Sequence, residues 1–195
     1  MCHEFELGRE FFAKLAEMDE RLAAWVAARG CPKCGGRLHR GDYERKPRGG
    51  LVAVAGEAFN HRYSLCCGRE GCRKRALPPS VRFLGRKVYL EAVVLIASVY
   101  VQMAEAFAEA YRALSVPVRT LKRWSHWWQN DFAQSREWQA MRAQFAPPAP
   151  VETELPHSLL QRLAASIPGT GEATEPAVLS LAAHWLLPVT TRTAL

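Results

Sequence analysis

Apolar residues near the start of the chain recur at intervals of three and four positions, with charged residues between them. This spacing places the apolar side chains on one face and predicts an amphipathic helix over residues 4–28. The apolar positions of this helix are Phe11, Phe12, Leu15, Met18, Leu22, Trp25 and Val26. Gly30 is typical of a helix end and Pro32 is poorly tolerated inside a helix, so the N-terminal helical segment is assigned to residues 1–30.

The helical pattern is lost over residues 31–86. Glycine and proline residues there separate short β-prone stretches at 51–55 and 59–66. We therefore interpret residues 31–86 as a small β module that follows the N-terminal helix.

Helical patterning returns after the β module, in residues 87–146. A broadly apolar helix is predicted to begin at residue 87, and a second, short helix covers 105–113. After a break at 114–117, a third helix continues to residue 130, with Pro117 at an early position where proline is tolerated. This region is expected to form a helical bundle.

The Pro-rich stretch at 147–150 is typical of a linker, and two short helices are predicted at 155–165 and 176–187. Residues 147–195 are therefore interpreted as a linker and a short helical tail. The whole pattern predicts an α+β fold, with a small β module between an N-terminal helix and a helical bundle.

The composition is that of a globular protein, since 49% of the 195 residues are apolar. The longest apolar run, 92–101, is too short for a bilayer span of ~20 residues. The N-terminus has neither the basic start nor the apolar run of a secretory signal. We therefore expect a cytoplasmic protein with no membrane partner.

The formal charge of +7 is unevenly distributed along the chain. Residues 29–90 carry a net charge of +11, whereas residues 1–28 carry −3. A compact cationic segment with acidic flanks indicates a surface that binds a polyanion. The alternative is a solvated face whose cations keep a small module soluble.

Five cysteines of the β module form two clusters with the spacing of a zinc ribbon. Cys31 and Cys34 are separated by two residues and followed by two glycines, and Cys67 and Cys72 form a second pair. Four thiolates arranged in this way can hold one structural zinc ion. Cys66 is an alternative ligand, but Cys67 is preferred because neighbouring side chains of a strand point to opposite faces.

Other interpretations of these cysteines remain open at this point. They could form disulfides or stay free, and His39 or His61 could replace one thiolate. A catalytic zinc would require an open coordination position and a general base, and no His-x-x-x-His pair with a nearby Glu is present. One structural zinc, stabilising a module too small for a large core, is therefore predicted.

Basic residues surround both cysteine pairs and also follow the break at 114–117. In the ribbon, the candidate phosphate contacts are Arg37, Arg40, Arg73, Lys74 and Arg75. A short helix, a tight break and a helix with exposed basic residues are typical of a helix-turn-helix. Its candidate DNA contacts are Val118, Arg119, Lys122, Arg123 and His126. The alternative is an ordinary two-helix corner.

The break and third helix resemble the turn and recognition helix of transposase-type helix-turn-helix domains. The matching positions are Leu114, Val116, Thr120, Leu121, Arg123 and Trp124, whereas Ser115 and Pro117 depart from the family pattern. Over residues 5–145 the chain is similar to small zinc-ribbon/helix-turn-helix proteins associated with bacterial insertion sequences. The resemblance implies a DNA-binding accessory or regulatory protein of a mobile element, associated with the nucleoid, with a transposase or another protein as a candidate partner.

Enzymatic activity is not expected. A two-metal transposase needs carboxylates on a separate catalytic fold, and residues 29–90 contain only four acidic residues among 15 cations. Double-stranded DNA is the expected partner. One alternative is a protein-interaction adaptor that uses the N-terminal helix and a stripe of Trp124, Trp127, Trp128 and Trp138, with Trp127 off the buried face. Another is RNA binding through stacking on Tyr43 and Tyr63.

Overall fold

A computed structural model of the chain describes residues 7–85, 88–102, 114–145, 147–148, 154–167 and 175–190. These residues form helices and small antiparallel sheets, which confirms the predicted α+β class. The chain divides into two compact units. The ribbon unit contains Leu7–Arg48 and Val52–Leu90 with residues 186–190, and the helical unit contains Gly49–Leu51 and Glu91–Trp185. Within the described ranges, no helix is both long and apolar enough to cross a bilayer.

The ribbon unit combines one long helix with five short strands. Helix α1 spans Arg9–Arg29 and ends at Gly30, whose φ of 74° suits glycine. The strands are β1 (Leu38–Arg40), β2 (Tyr43–Glu44), β3 (His61–Arg62), β4 (Leu65–Cys67) and β5 (Arg75–Ala76). They form an antiparallel sheet of order β1-β4-β5 and an antiparallel β2-β3 pair.

The structure contradicts the predicted β structure in one of the two β-prone stretches. Residues 51–55 contain a short helix, α2 (Val52–Ala55), which packs against α1 and precedes a 3₁₀ turn at Glu57–Asn60. Alanine alternating with valine favours a helical turn as readily as a strand, and Gly56 with φ 79° ends it. The stretch at 59–66 does contain strand residues, from β3 and β4.

In helix α1, the buried residues of the C-terminal half differ from those predicted. Its buried positions are Phe11, Phe12, Leu15, Asp19 and Ala23. Trp25, predicted on the apolar face, is 54% exposed and lies under the Arg29 guanidinium, 4.5 Å from the ring centroid. The row of buried residues includes Asp19. Because Asp19 is charged, the spacing of apolar residues does not predict that this side of the helix is buried.

The helical unit is built on α3 (Glu91–Gln102), whose residues from Glu91 to Ser98 are buried. Helix α4 (Val118–His126) follows the predicted break. Helix α5 (Arg136–Arg142) begins after Ser135, whose side chain accepts a hydrogen bond from the Trp138 amide. In the tail, α6 (His157–Ser166) and α7 (Glu175–Trp185) pack on each other and on α3. The predicted short helix at 105–113 lies outside the described residues.

The segment after α4 is a π-helix, Trp127–Phe132. Trp127 was expected off the buried face, but it is only 6% exposed, and its ring lies 4.6 Å from that of Trp128 and 5.3 Å from that of Phe132. It lies three residues after the buried Trp124, so α spacing places it on the same face, which is wider than predicted. Trp127 therefore belongs to the core.

Candidate metal centre

Two loops bring four cysteine thiols together beside the sheet of the ribbon unit. Cys31 and Cys34 follow α1, Cys67 ends β4, and Cys72 lies in the loop before β5. Their Sγ atoms all lie within 4.8 Å of one another, and the Cys31–Cys72 and Cys34–Cys67 separations are 3.8 and 3.5 Å. Tetrahedral zinc with bonds of about 2.3 Å separates its sulfurs by about 3.8 Å. The four thiols could therefore bind one metal ion.

Backbone hydrogen bonds and glycines shape the first loop. The Cys31 amide donates to the Gly36 carbonyl and the Gly35 amide donates to the Cys31 carbonyl, both at 2.8 Å. A Cβ on Gly36 would lie 3.2 Å from the Cys67 sulfur and 3.3 Å from that of Cys34. A methyl group at this position would therefore have to displace the two sulfurs by a few tenths of an ångström.

In the second loop, the Arg69 amide donates to the Cys67 sulfur at 3.4 Å. The Cys72 amide donates to the Arg69 carbonyl at 3.1 Å, which closes the turn. Each loop thus donates a backbone hydrogen bond to a sulfur. The Gly36 amide donates to Cys34 in the first loop, and the Arg69 amide donates to Cys67 in the second. Such donors stabilise thiolates and therefore favour metal binding.

Two of the thiols, Cys34 and Cys67, have pKa values shifted in opposite directions. The Gly36 backbone N–H, with hydrogen bonds from the other thiols, lowers the pKa of Cys34 to about 6 despite desolvation. The Arg69 backbone N–H lowers the pKa of Cys67, but burial and hydrogen bonds to the neighbouring thiols outweigh it and raise the value to about 12. A metal must displace the protons that remain, so its affinity falls as the pH falls.

The alternative ligands do not join this cluster. Cys66 points away from it, and its sulfur donates to the Arg73 carbonyl at 3.6 Å. His39 pairs with Cys66 across β1 and β4, and His61 packs against Tyr63, with ring centroids 5.0 Å apart. Among the described residues, the only group of three or more candidate ligands is the four cysteines.

An apolar layer lies directly behind the thiols. Leu38, Leu65 and Ala76 are buried against Cys31 and Cys67, and Val26 and Ala27 of α1 pack on the same cluster. The same unit has a second apolar cluster, in which the buried Phe59 ring contacts those of Phe12 and Phe83. The metal would connect α1 to the sheet and stabilise the layer behind the thiols.

The basic side chains of the ribbon unit differ in their accessibility to a ligand. Arg37, Arg73 and Lys74 are exposed, and the described residues provide no ion-pair partner for their side chains. Arg40 lies 2.9 Å from Glu20 and 3.3 Å from Asp42, and its hydrogen bond is the main cause that lowers the pKa of Glu20. Arg75 donates to Ser64 at 2.8 Å.

Two further cations of the positive segment are not surface groups. Arg62 and Arg82 are buried, and the Arg82 guanidinium forms an ion pair with the buried Asp19, with an Nε–Oδ2 distance of 2.7 Å. Sequence reasoning missed this network, because a charge count does not show which cations are buried. An acidic residue inside the apolar stripe of α1 was the signal that could have found it.

In the helical unit, α4 has one polar face and one buried face. Thr120, Leu121 and Trp124 are buried. The predicted contact residues Val118, Arg119, Lys122, Arg123 and His126 are all exposed. The structure thus brings these five side chains onto one helix, and the ribbon candidates lie in the other unit.

We expect Gly36→Ala to lower zinc affinity about 10–100-fold, the range found for groups that support metal ligands. The added methyl would crowd two of the four sulfurs. Competition with a chromophoric chelator measures the change. Gly41→Ala is the matched control, because its nearest neighbour would be an ordinary 3.7 Å contact with Cys66 Cβ. Equal affinities for the two variants would contradict the prediction.

Comparison of the chain with family models, with curated proteins and with solved structures finds no match. The chemistry of the site therefore has to be argued from its own geometry. That geometry supports a metal centre of four cysteines, Cys31, Cys34, Cys67 and Cys72.

Proposed function

We propose that this chain is a zinc-containing protein that binds double-stranded DNA. The observation that carries the proposal is the exposed face of α4, where Arg119, Lys122 and Arg123 stand opposite the buried Leu121 and Trp124. A rigid helix with a basic outer face is the element that helix-turn-helix proteins place in the major groove.

Zinc is the metal that suits the four-cysteine centre best. Thiolates are soft ligands, and four of them in a tetrahedral arrangement select zinc or iron, with zinc the usual ion of structural sites. A ligand set of four cysteines leaves no open position for a substrate. We therefore assign the metal a structural role and the protein a binding function rather than a catalytic one.

The two units would contact DNA in different ways. In the helical unit, Val118, Arg119, Lys122, Arg123 and His126 would face base edges and nearby phosphates. In the ribbon unit, Arg37, Arg40, Arg73, Lys74 and Arg75 would contact phosphates, which supply affinity without sequence information. Of these, Arg40 is the least available, because it already pairs with Glu20 and Asp42.

The resemblance to insertion-sequence proteins suggests the biological setting of this activity. We propose an accessory or regulatory role in a bacterial mobile element, at the nucleoid, with a transposase or another protein as a further partner. The metal centre and α4 are compatible with such a role.

Each of the two alternative functions loses one of the residues on which it depended. The adaptor hypothesis relied on Trp127, which is buried, although Trp25 on the N-terminal helix is exposed. The RNA hypothesis relied on Tyr43 and Tyr63, and only Tyr43 is exposed. Neither alternative is therefore proposed as a second function.

Selection of the zinc-loaded chain against a random duplex library at moderate salt tests the proposal. We expect one enriched motif, and we expect Arg119→Ala or Arg123→Ala to weaken binding to it by about 1–3 kcal/mol if the side chain contacts a base. Arg136→Ala is the control, because Arg136 is an exposed cation of α5 outside the α4 face. A folded, zinc-loaded chain that enriches no sequence would contradict specific DNA binding.

A further inference from the structure

The sheet of the ribbon unit has two faces of different character. The register pairs His39 with Cys66 and Cys66 with Arg75, so these three residues form one row across β1, β4 and β5. The opposite face carries the buried Leu38, Cys67 and the other residues of the metal layer. The face with His39 is called the outer ribbon face, and its positions are Arg37, His39, Ser64, Cys66, Gly68 and Arg75, with Arg73 in the turn before β5. Ser64 is fully buried and accepts a hydrogen bond from Arg75.

Side chains of the two outer strands extend over the central strand of this face. The Gly68 amide donates to the Arg37 carbonyl at 2.9 Å, which continues the pairing of β1 with β4 by one residue. A Cβ on Gly68 would lie 2.6 Å from His39 Nε2, and the Arg75 guanidinium reaches the Ser64 hydroxyl. Arg73 has a φ of 43° and lies in the turn before β5, so strand alternation does not fix the direction of its side chain.

The charges of the outer ribbon face are of one sign. None of its seven positions is acidic, and the nearest carboxylates along the chain, Asp42 and Glu70, lie beyond the ends of the strands. Asp42 is already engaged, since it accepts from the Ser64 amide at 2.9 Å and pairs with Arg40. A surface with this charge is complementary to a polyanion.

The arginines of this face are suited to phosphate. Arg75 is held in place, because its Nη1 donates to the Ser64 hydroxyl at 2.8 Å and to the Gly41 carbonyl at 3.3 Å. Both bonds use Nη1, so the Nη2 side of the guanidinium is left for a ligand. Within the described ranges, the side chains of Arg37 and Arg73 have no ion-pair partner. Guanidinium groups bind phosphate oxygens in a bidentate way.

We infer that one sugar–phosphate strand of duplex DNA lies along the outer ribbon face, on its basic side chains. This inference rests on the proposed function and adds the place of contact. Duplex DNA presents phosphates to such a surface without requiring aromatic rings. Tyr43, the partly exposed ring nearest this face, is 38% exposed and faces the Arg75 guanidinium at 6.0 Å, so the face offers little stacking surface to unpaired bases.

Cys66 provides a direct probe, because its thiol is partly exposed between His39 and Arg75 and lies outside the metal cluster. In a zinc-loaded full-length Cys2→Ser chain, we expect iodoacetamide to alkylate Cys66 and the enriched duplex at saturation to abolish this alkylation. Peptide mass spectrometry identifies the modified thiol. The control is Lys14→Cys in a Cys2→Ser/Cys66→Ser chain, where the new thiol lies on the exposed side of α1 and should react equally with and without DNA.

Matched charge variants give a second measurement. Arg37→Gln/Arg73→Gln should reduce the slope of log affinity against log salt by about two, as expected for the loss of two phosphate contacts. Lys14→Gln/Arg21→Gln removes the same charge from α1 and should leave the slope close to that of the parent chain.

The outcomes separate the inference from the proposed function. An enriched duplex that leaves Cys66 reactive and the salt slope of Arg37→Gln/Arg73→Gln unchanged overturns the inference, and DNA binding through α4 stands. A chain that enriches no duplex overturns the proposed function and with it the inference. Protection of Cys66 by single-stranded RNA, but not by the duplex, overturns the duplex as the occupant of the face.

Discussion

Replacing Cys67 with serine should abolish stoichiometric zinc binding by the full-length chain and unfold the part of the ribbon unit around the thiols. The Cys67 sulfur lies 3.5 Å from that of Cys34, and the residue itself is buried in the apolar layer behind the site. Zinc contributes about 10–16 kcal/mol to the folding of small four-ligand modules at neutral pH, more than the net stability of a typical domain. Elemental analysis gives the zinc content, and protease resistance of the ribbon reports its folding.

Cys66→Ser is the matched control for this experiment, since it changes the neighbouring thiol on the same strand. The Cys66 sulfur donates to the Arg73 carbonyl rather than to the cluster. We expect this variant to keep one zinc per chain and a protease-resistant ribbon. Zinc loss in Cys66→Ser with retention in Cys67→Ser would show that the cluster is assigned to the wrong cysteine.

The preference for Cys67 shows how much of the metal centre can be predicted from the sequence. Alternation along a strand places Tyr63, Leu65 and Cys67 on one side, and all three are buried in the structure. The spacing of Cys31 and Cys34 and the glycines after them predict the first loop. Ligand sites of this kind are predictable because their geometry depends on residues that are close in sequence.

The buried faces of two helices were predicted only in part. Trp127 lies three residues after Trp124, so α spacing places it on the buried face once that face is taken as wide enough. Trp25 is exposed because the buried row of α1 passes through Asp19 and Ala23 instead. In α1 the packing partner, rather than the local pattern, decides which residues are buried.

The net charge of the positive segment follows from the sequence, but the sequence does not show which of its cations are exposed. The net charge of +11 over residues 29–90 includes Arg62 and Arg82, which are buried and contribute to the core rather than to a binding surface. Which cations remain exposed follows from the sheet register, which a charge count does not contain. The outer ribbon face is therefore defined by the strand pairing and not by the charge count.

Removing the Asp19 carboxylate should destabilise the zinc-loaded chain by about 3–5 kcal/mol, the cost of leaving a buried charge without its partner. Asp19 and Arg82 are both fully buried, with an Nε–Oδ2 distance of 2.7 Å. The carboxylate also accepts from the Ser80 hydroxyl at 2.6 Å and the Val81 amide at 2.7 Å. Asp19→Ala would lose all three interactions and isolate Arg82.

The surroundings of Arg82 explain why the loss is large. Its guanidinium lies 4.7 Å from the Tyr63 ring centroid and 5.3 Å from that of Phe59, and it donates to the Ala58 carbonyl. Aromatic faces and one carbonyl replace only part of the stabilisation that a carboxylate provides. Since water does not reach the site, the solvent cannot replace the remainder.

Chemical denaturation at saturating zinc measures this effect, with two variants as references. Glu17→Ala removes an exposed ion pair with Arg21, and surface pairs contribute below about 1 kcal/mol. Asp19→Leu/Arg82→Met replaces both charges with apolar side chains and should recover part of the lost stability, because it removes the unpaired charge. Recovery is incomplete, because the Ser80 hydroxyl and the Val81 amide still lack the acceptor that Asp19 provides. If Asp19→Ala is no more destabilising than Glu17→Ala, the buried pair does not hold the 80–83 segment on α1. If the double variant is less stable than Asp19→Ala, the unpaired charge is not the source of the loss.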